Sequence, residues 1–449
     1  VSTSPVRSLV SEQEPVLILG GGLMGLAVAH QLARRGEAVR VLSRRRSEAA
    51  GFVAAGMLAP HAEGLAGPLL ALGQASLAQI PAWVAQVEVD SGLACGLRFC
   101  GIAVPFASEA ERDAYPTAAW GEALDRAELQ RQLPGLAGHW QAGLLFPQDG
   151  QIDNRRRLMR ALERACVNRG VRFEEGSEVL ELITAPGTAG EAKPAREARD
   201  ACETQDAGEA KDAGEAKDAG EAKDAGETQD AGETQDAGEA QAAEGGPGLT
   251  ATAASRRLVA VRLRRSDGEE IGLPCAAAVL ACGAWSAQLL PQLPIVPVKG
   301  QMLSLQGPIG ALRRVIFGPG TYLVPREDGL VVVGATSEPE AGFREGLTPA
   351  GQRQLQEGIS ALLPAAAGWP PMERWWGFRP CTPDQGPLLG ASPIDGLLLA
   401  CGHHRNGVLL AAITAELVAG LLAPAELPGS LPAGQSERLM SPFRWNRFG

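Results

Sequence analysis

Three short segments carry residues whose types and spacing suit them to chemistry. The first is Gly20-Gly21-Gly22-Leu23-Met24-Gly25, a G-x-G-x-x-G spacing between the apolar run Val16–Leu19 and an Ala/Leu-rich stretch that stops at Gly36. Gly20 permits a tight turn, Gly22 lets the backbone approach a pyrophosphate, and Gly25 lets helix and strand pack closely. The anion then sits on the helix N-terminus, where the free N–H groups around Leu23 and Met24 and the helix dipole meet it. Strand before and helix after make this a dinucleotide site, with a purely structural glycine turn as the alternative.

The second segment follows the strand 38–42. An acidic residue belongs at its end to hold the adenosine ribose hydroxyls, but the chain has Ser43-Arg44-Arg45-Arg46. On charge alone this favours a 2′-phosphate and hence NADP; a solvated basic turn is the other reading. The third segment is Gly402-His403-His404-Arg405-Asn406-Gly407, which opens on an apolar helix starting at Val408. A glycine-bracketed turn at a helix N-terminus suits a group that gains negative charge during reaction. A flavin does this at its N1–C2=O edge on reduction, whereas a nicotinamide becomes neutral, so this turn favours FAD. A run of small apolar residues, 276–282, also ends on Cys282 and leads into Gly283-Ala284-Trp285.

The elements that must position these segments alternate between strand and helix. A helix is expected over 154–169, with Asp153 as N-cap and Gly170 as stop. Strands are expected at 171–174 and 179–183, and 258–263 pairs with the latter across an overgrown hairpin loop. That loop, 184–255, loses its large apolar residues and repeats an Asp-Ala-Gly-Glu hexapeptide six times from Asp206 to Gln241. Nothing there can form a core, so it is expected to be disordered. The repeat lacks the paired glycines and the large apolar residue of calcium-binding repeats. Loop-closure entropy grows only logarithmically, so such an insert need not split a domain.

Composition narrows the function classes. The 449 residues carry a formal net charge of −11, which disfavours nucleic acid as a partner. The insert holds 17 acidic and six basic residues, so the other 377 carry 35 of each sign. Eight scattered cysteines without a C-x-x-C pair argue against structural zinc and suit a reducing cytoplasm. No bound metal is expected. The apolar stretch 408–423 is interrupted by Glu416 and is too short to cross a bilayer.

On further segments the sequence resembles the FAD-dependent glycine oxidases of the D-amino-acid oxidase family, the kind that serves thiamine biosynthesis. These are Ala54-Ala-Gly-Met-Leu58 with His61-Ala-Glu63, Pro297-Val-Lys-Gly-Gln-Met302, Tyr322-Leu-Val-Pro-Arg326, Val331-Val-Val-Gly-Ala-Thr336, Trp376-Gly-Phe-Arg-Pro380 with Thr382-Pro-Asp384, and the Gly402–Gly407 turn. They span nearly the whole chain apart from the insert. Ser43 and the insert are the departures.

The resemblance implies that Arg379 pairs with a substrate carboxylate and Tyr322 donates a second hydrogen bond to it, placing the α-carbon for hydride transfer to the flavin. A guanidinium fork matches a carboxylate bidentately. Arg405 is implied near the substrate or the flavin edge, with helix-end capping as its alternative, and Met57 in the pocket, with core packing as its own. The flavin is implied to lie against Ala54, Ala55, Gly56, Met57, Cys282, Gly283, Trp285, Arg379, His404, Arg405, Asn406, Gly407 and Val408. Its adenosine end is implied at Gly20, Gly22, Leu23, Met24, Gly25, Ser43, Arg44 and Val179. Cys381 stands where relatives link flavin covalently, but non-covalent FAD is expected. Lys299 could assist oxygen reduction, but a surface lysine at a strand edge is the preferred reading.

The implied fold is α/β: a Rossmann-like FAD-binding domain of discontinuous segments (14–75, 150–183, 256–292 and 381–425), plus an α+β substrate domain (76–149 and 293–380) with a mainly antiparallel sheet. The implied reaction oxidises glycine, with dioxygen reduced to peroxide. The glycine imine then feeds thiazole formation or hydrolyses to glyoxylate and ammonia. Sarcosine or D-amino-acid oxidation, a dehydrogenase, and a non-catalytic scaffold are the alternatives. A homo-oligomer and a thiazole-synthase pathway partner are expected, with neither nucleic acid nor membrane.

Overall fold

Val16–Leu19 is buried at every position and forms the third-from-last strand of a six-stranded sheet. The order runs Leu388–Ala391, Leu397–Cys401, Ala278–Leu280, Val16–Leu19, Val39–Ser43, Arg172–Glu175. Every neighbour pair is parallel except the first, which is antiparallel. A parallel sheet covered on both faces demands unbroken apolar strands, and alternate residues here go to different cores. Ile18, Val41 and Val279 pack with the helices Leu23–Arg34, Gly67–Ser91, Met159–Asn168 and Gly407–Leu422. Leu17, Leu19, Leu42 and Leu280 pack instead with Leu258, Val261 and Leu263. A computed structural model describes residues 14–186, 256–424, 427, 430–432 and 434–448.

The hairpin expected around the insert is present. Glu178–Pro186 pairs antiparallel with Arg256–Arg264. Its strands reach further than the sequence suggested, because Thr184, Ala185 and Pro186 pair with Leu258, Arg257 and Arg256. Residues 184–186 therefore belong to a strand, and the disorder expected beyond them lies outside the described residues. The helix expected at 154–169 starts with a π-wound turn, Asn154–Leu158, capped by Asp153, which accepts from the Arg156 N–H.

The second sheet has eight strands, ordered Pro371–Cys381, Val296–Gln306, Leu330–Gly334, Thr321–Pro325, Val315–Gly318, Ile102–Phe106, Ala142–Phe146, Glu122–Leu124. Only Val315–Gly318 and Ile102–Phe106 run parallel. One face packs under the helix Pro349–Leu362 through Leu355, Ile359 and Leu362. The other face, with Met302, Val324 and Val332, meets Ala55, Ala59 and Ala62. This mixed, mainly antiparallel sheet beside a parallel one is the architecture the sequence implied.

Two expectations need correction. The helix Gly67–Ser91 runs unbroken across the boundary placed at residue 75, and Leu72, Leu77, Trp83 and Val87 all join the core of the parallel sheet. Lys299 is not a surface lysine at a sheet edge. Its strand is internal to the eight-stranded sheet, the side chain is 2% exposed, and its ammonium lies 3.7 Å from Glu338. Among the described residues no helix is long and apolar enough to cross a membrane.

Candidate active site

The glycine loop is built by close approach. Gly20 has φ +113°, and a Cβ there would fall 2.5 Å from the Ala281 carbonyl oxygen. A side chain on Gly25 would strike the Gly20 carbonyl, so the helix Leu23–Arg34 can sit hard against the first strand. That helix has neither a side-chain cap nor an acidic residue in its first turn. Its leading N–H groups lack intrahelical partners and face a cavity of about 560 Å³. The helix Gly407–Leu422 also begins without a side-chain cap or an acidic first turn, and Gly407 and Val408 line the same cavity.

The cavity reaches from Gly20, Gly22, Leu23, Met24, Ser43 and Arg44 at the ends of the parallel strands, and Val179 on the hairpin strand Glu178–Pro186, to Tyr322 and Arg379 on the eight-stranded sheet. Ala54, Ala55, Gly56, Met57, Cys282, Gly283, Trp285, His404 and Arg405 also line it. Of the site residues implied from the sequence, Gly25 and Asn406 do not, nor do the two further candidates Lys299 and Cys381. Gly25 packs on Gly20, and Asn406 is buried as the N-cap residue of the last long helix.

Arg44 does not stand ready for a 2′-phosphate. Its guanidinium is 3.0 Å from Glu48, 3.1 Å from Glu178 and 5.4 Å above the Trp285 ring. Arg45 pairs with Glu48, and Arg46 with Glu163 and Glu175. The basic run is thus neutralised by acidic residues that sequence inspection cannot pair with it.

At the other end Arg379 donates to the Thr336 carbonyl at 3.1 Å. Among the described residues it is the one cavity-lining arginine without a carboxylate partner. Burial raises the Tyr322 phenol above its ordinary pKa against the opposing pull of Arg379, so it remains a neutral donor. Burial lowers His403 to about 3, and burial with Arg379 and Arg405 lowers His404 to about 4. His404 has φ +46°, and its buried Nδ1 has no hydrogen-bond partner among the described residues.

A carboxylate of the motif His61-Ala-Glu63, given no role from sequence, also lines the cavity. Glu63 Oε2 is 2.7 Å from Arg405 Nε, with the Glu63 side chain 7% exposed. Burial raises its carboxyl above the ordinary range, opposed by Arg405 and Arg379. Asp149 fixes the segment by accepting from the His61 and Ala62 N–H groups at 3.2 and 2.8 Å and from His61 Nδ1 at 2.6 Å.

The family described as FAD dependent oxidoreductase matches residues 15–211 and 236–421. The chain belongs to that family. It is 35% identical over 434 residues to a bifunctional protein ThiO/ThiG of Synechocystis sp., covering 95% of this chain and 54% of that protein. The chain thus spans about half the length of the curated relatives it matches first. A glycine oxidase of Geobacillus kaustophilus is 27% identical over 430 residues, covering 92% of this chain and 93% of that one. The crystal structure of glycine oxidase from that organism superposes with TM-score 0.71 at 25% identity, covering 96% of this chain and 98% of that one.

The residues present fit the family's cofactor. Two uncapped helix N-termini free of acidic residues open on one cavity, suited to a pyrophosphate and to the flavin edge that becomes anionic. The unpartnered His404 Nδ1 stands at the second of them. Gly56, with φ +84°, leaves backbone rather than side chain at the cavity wall. FAD is therefore the cofactor, and the NADP reading of Ser43 and Arg44 falls with the pairing of Arg44.

Proposed function

We propose that this chain oxidises glycine and other small amino acids to the imino acid, with dioxygen reduced to hydrogen peroxide. The observation that carries the reading is Arg379, a guanidinium with no ion-pair partner among the described residues, in the same cavity as the two helix N-termini. Arg379 holds the substrate carboxylate bidentately, and the neutral Tyr322 hydroxyl adds a directed donor without another charge. FAD, when bound, accepts the two electrons and passes them to dioxygen. The protein contributes position, and no general base is required of its side chains. His403 and His404 stay uncharged at neutral pH and add no cation to the wall.

In this reading the six-stranded sheet and its helices form the flavin half and the eight-stranded sheet the substrate half. Met57, in the short strand Met57–Leu58 paired with Gly150–Gln151, lines the pocket for the small side chain. The imine hydrolyses to glyoxylate and ammonia or is consumed in thiazole formation, which gives a thiazole synthase as pathway partner. The names of the relatives, ThiO/ThiG and glycine oxidase, support glycine over sarcosine or D-alanine. Peroxide release in aerated buffer with each of these amines tests the assignment. Turnover with an artificial dye alone, without peroxide, would replace oxidase by dehydrogenase.

A further inference from the structure

Five arginines line the cavity: Arg44, Arg45, Arg46, Arg379 and Arg405. The first three are neutralised at the adenosine end by Glu48, Glu163, Glu175 and Glu178. At the substrate end two guanidiniums meet one carboxylate. Glu63 takes Arg405 at 2.7 Å and leaves Arg379 to the ligand. The Arg405 side chain is 43% exposed, which places it at the mouth, while Glu63 lies inside. Burial raises the Glu63 carboxyl above its ordinary range, and the two guanidiniums oppose that shift.

Glu63 is also held where it stands. Asp149 anchors the N–H groups of His61 and Ala62, the Thr117 hydroxyl donates to the His61 carbonyl at 2.5 Å, and the Tyr115 hydroxyl to the Ala62 carbonyl at 2.6 Å. Neither sheet nor core requires a carboxylate at this position. Among the described residues its ion-pair partner is Arg405.

We propose that Glu63 is a charge selector: by occupying Arg405 it leaves the site one free guanidinium, so the enzyme takes amines bearing one carboxylate and discriminates against those bearing two. A second carboxylate would need Arg405, and would have to displace Glu63 while lying beside its charge. This deepens the amine-oxidase reading above and rests on it for the substrate class. Glu63 acts through Arg405 and is a positioning residue.

The test uses the flavin-loaded protein and two unreactive ether acids of matched shape, methoxyacetate with one carboxylate and diglycolate with two, titrated by calorimetry. Wild type binds methoxyacetate in preference to diglycolate. E63Q raises the affinity for diglycolate relative to methoxyacetate by about tenfold or more, the scale of one freed charge-assisted contact, and E63D keeps the wild-type ratio. In turnover the kcat/KM ratio of iminodiacetate to sarcosine rises in parallel. An E63Q ratio equal to wild type overturns the proposal, as does equal loss of both ligands. Should E63Q lose its flavin, R405Q decides: an unpaired Glu63 lowers diglycolate affinity more than methoxyacetate affinity, and equal effects overturn the proposal. If the wild type oxidises no amine, the function reading fails while the calorimetric ratio still judges the selector.

Discussion

Gly300 leaves the space that the Arg379 guanidinium fills. A Cβ on Gly300 would fall within 2.7 Å of the guanidinium carbon, and in the register of the two strands Gly300 lies opposite Gly377, two residues from Arg379. A side chain at Gly300 and the observed Arg379 rotamer exclude one another. Gly300 is therefore as much a part of the proposed carboxylate site as the arginine itself.

Gly300→Ala is expected to displace Arg379 and raise the KM for glycine by roughly 10- to 100-fold, the worth of a charge-assisted contact. The strand pairing is retained and the flavin content stays near wild type. Steady-state peroxide assays with flavin absorbance on the same samples check this. An unchanged KM would remove Arg379 from the substrate.

Arg379→Ala is expected to raise KM by about 100-fold or more and leave the flavin spectrum intact, because the proposed bidentate contact is lost and the other guanidinium at that end, Arg405, is paired with Glu63. Arg379→Lys recovers only part, since an ammonium is a point charge without the planar fork. Full recovery by lysine would show that the site needs charge and not geometry.

Arg44→Ala is expected to lower thermal stability by only a few degrees and to weaken FAD retention less than tenfold. Its partners are half-exposed, and such pairs contribute about 1 kcal/mol or less. Neither the wild type nor the variant should bind NADPH in a fluorescence titration. NADPH binding lost specifically in the variant would reinstate Arg44 as a phosphate ligand.

His403 and His404 set a pH dependence whose sign follows from burial. An unfolded histidine titrates at about 6.5, whereas the folded groups sit at about 3 and about 4. Between these values the unfolded chain binds protons that the native chain refuses, so stability is full above about pH 6.5 and falls as the pH drops. His403 alone accounts for roughly 3 kcal/mol by about pH 4. Denaturant unfolding at pH 7 and pH 4.5 measures the loss, and His403→Gln should flatten the curve. A variant as acid-sensitive as the wild type would assign the effect to other groups.

What the sequence made legible was local. Gly20 to Gly25 declares itself because strand, turn and helix are consecutive, and the hairpin around the insert because its two strands keep their apolar alternation. The burial of Lys299 is not legible locally because it comes from Phe378 on one side and Glu338 on the other, pairings formed far along the chain. The basic run after Ser43 suggested a phosphate because Glu178 and Glu175, its partners, lie on distant strands. Glu63 and Arg405 stand near opposite ends of the chain. Only the fold shows that one carboxylate answers for the other's charge.

The most direct measurement is the visible absorption of the purified protein before and after anaerobic glycine. Bound FAD is expected to be bleached by glycine and to recover on admitting air, with peroxide formed. A colourless protein, or a flavin spectrum unchanged by glycine, sarcosine and D-alanine alike, would contradict this expectation.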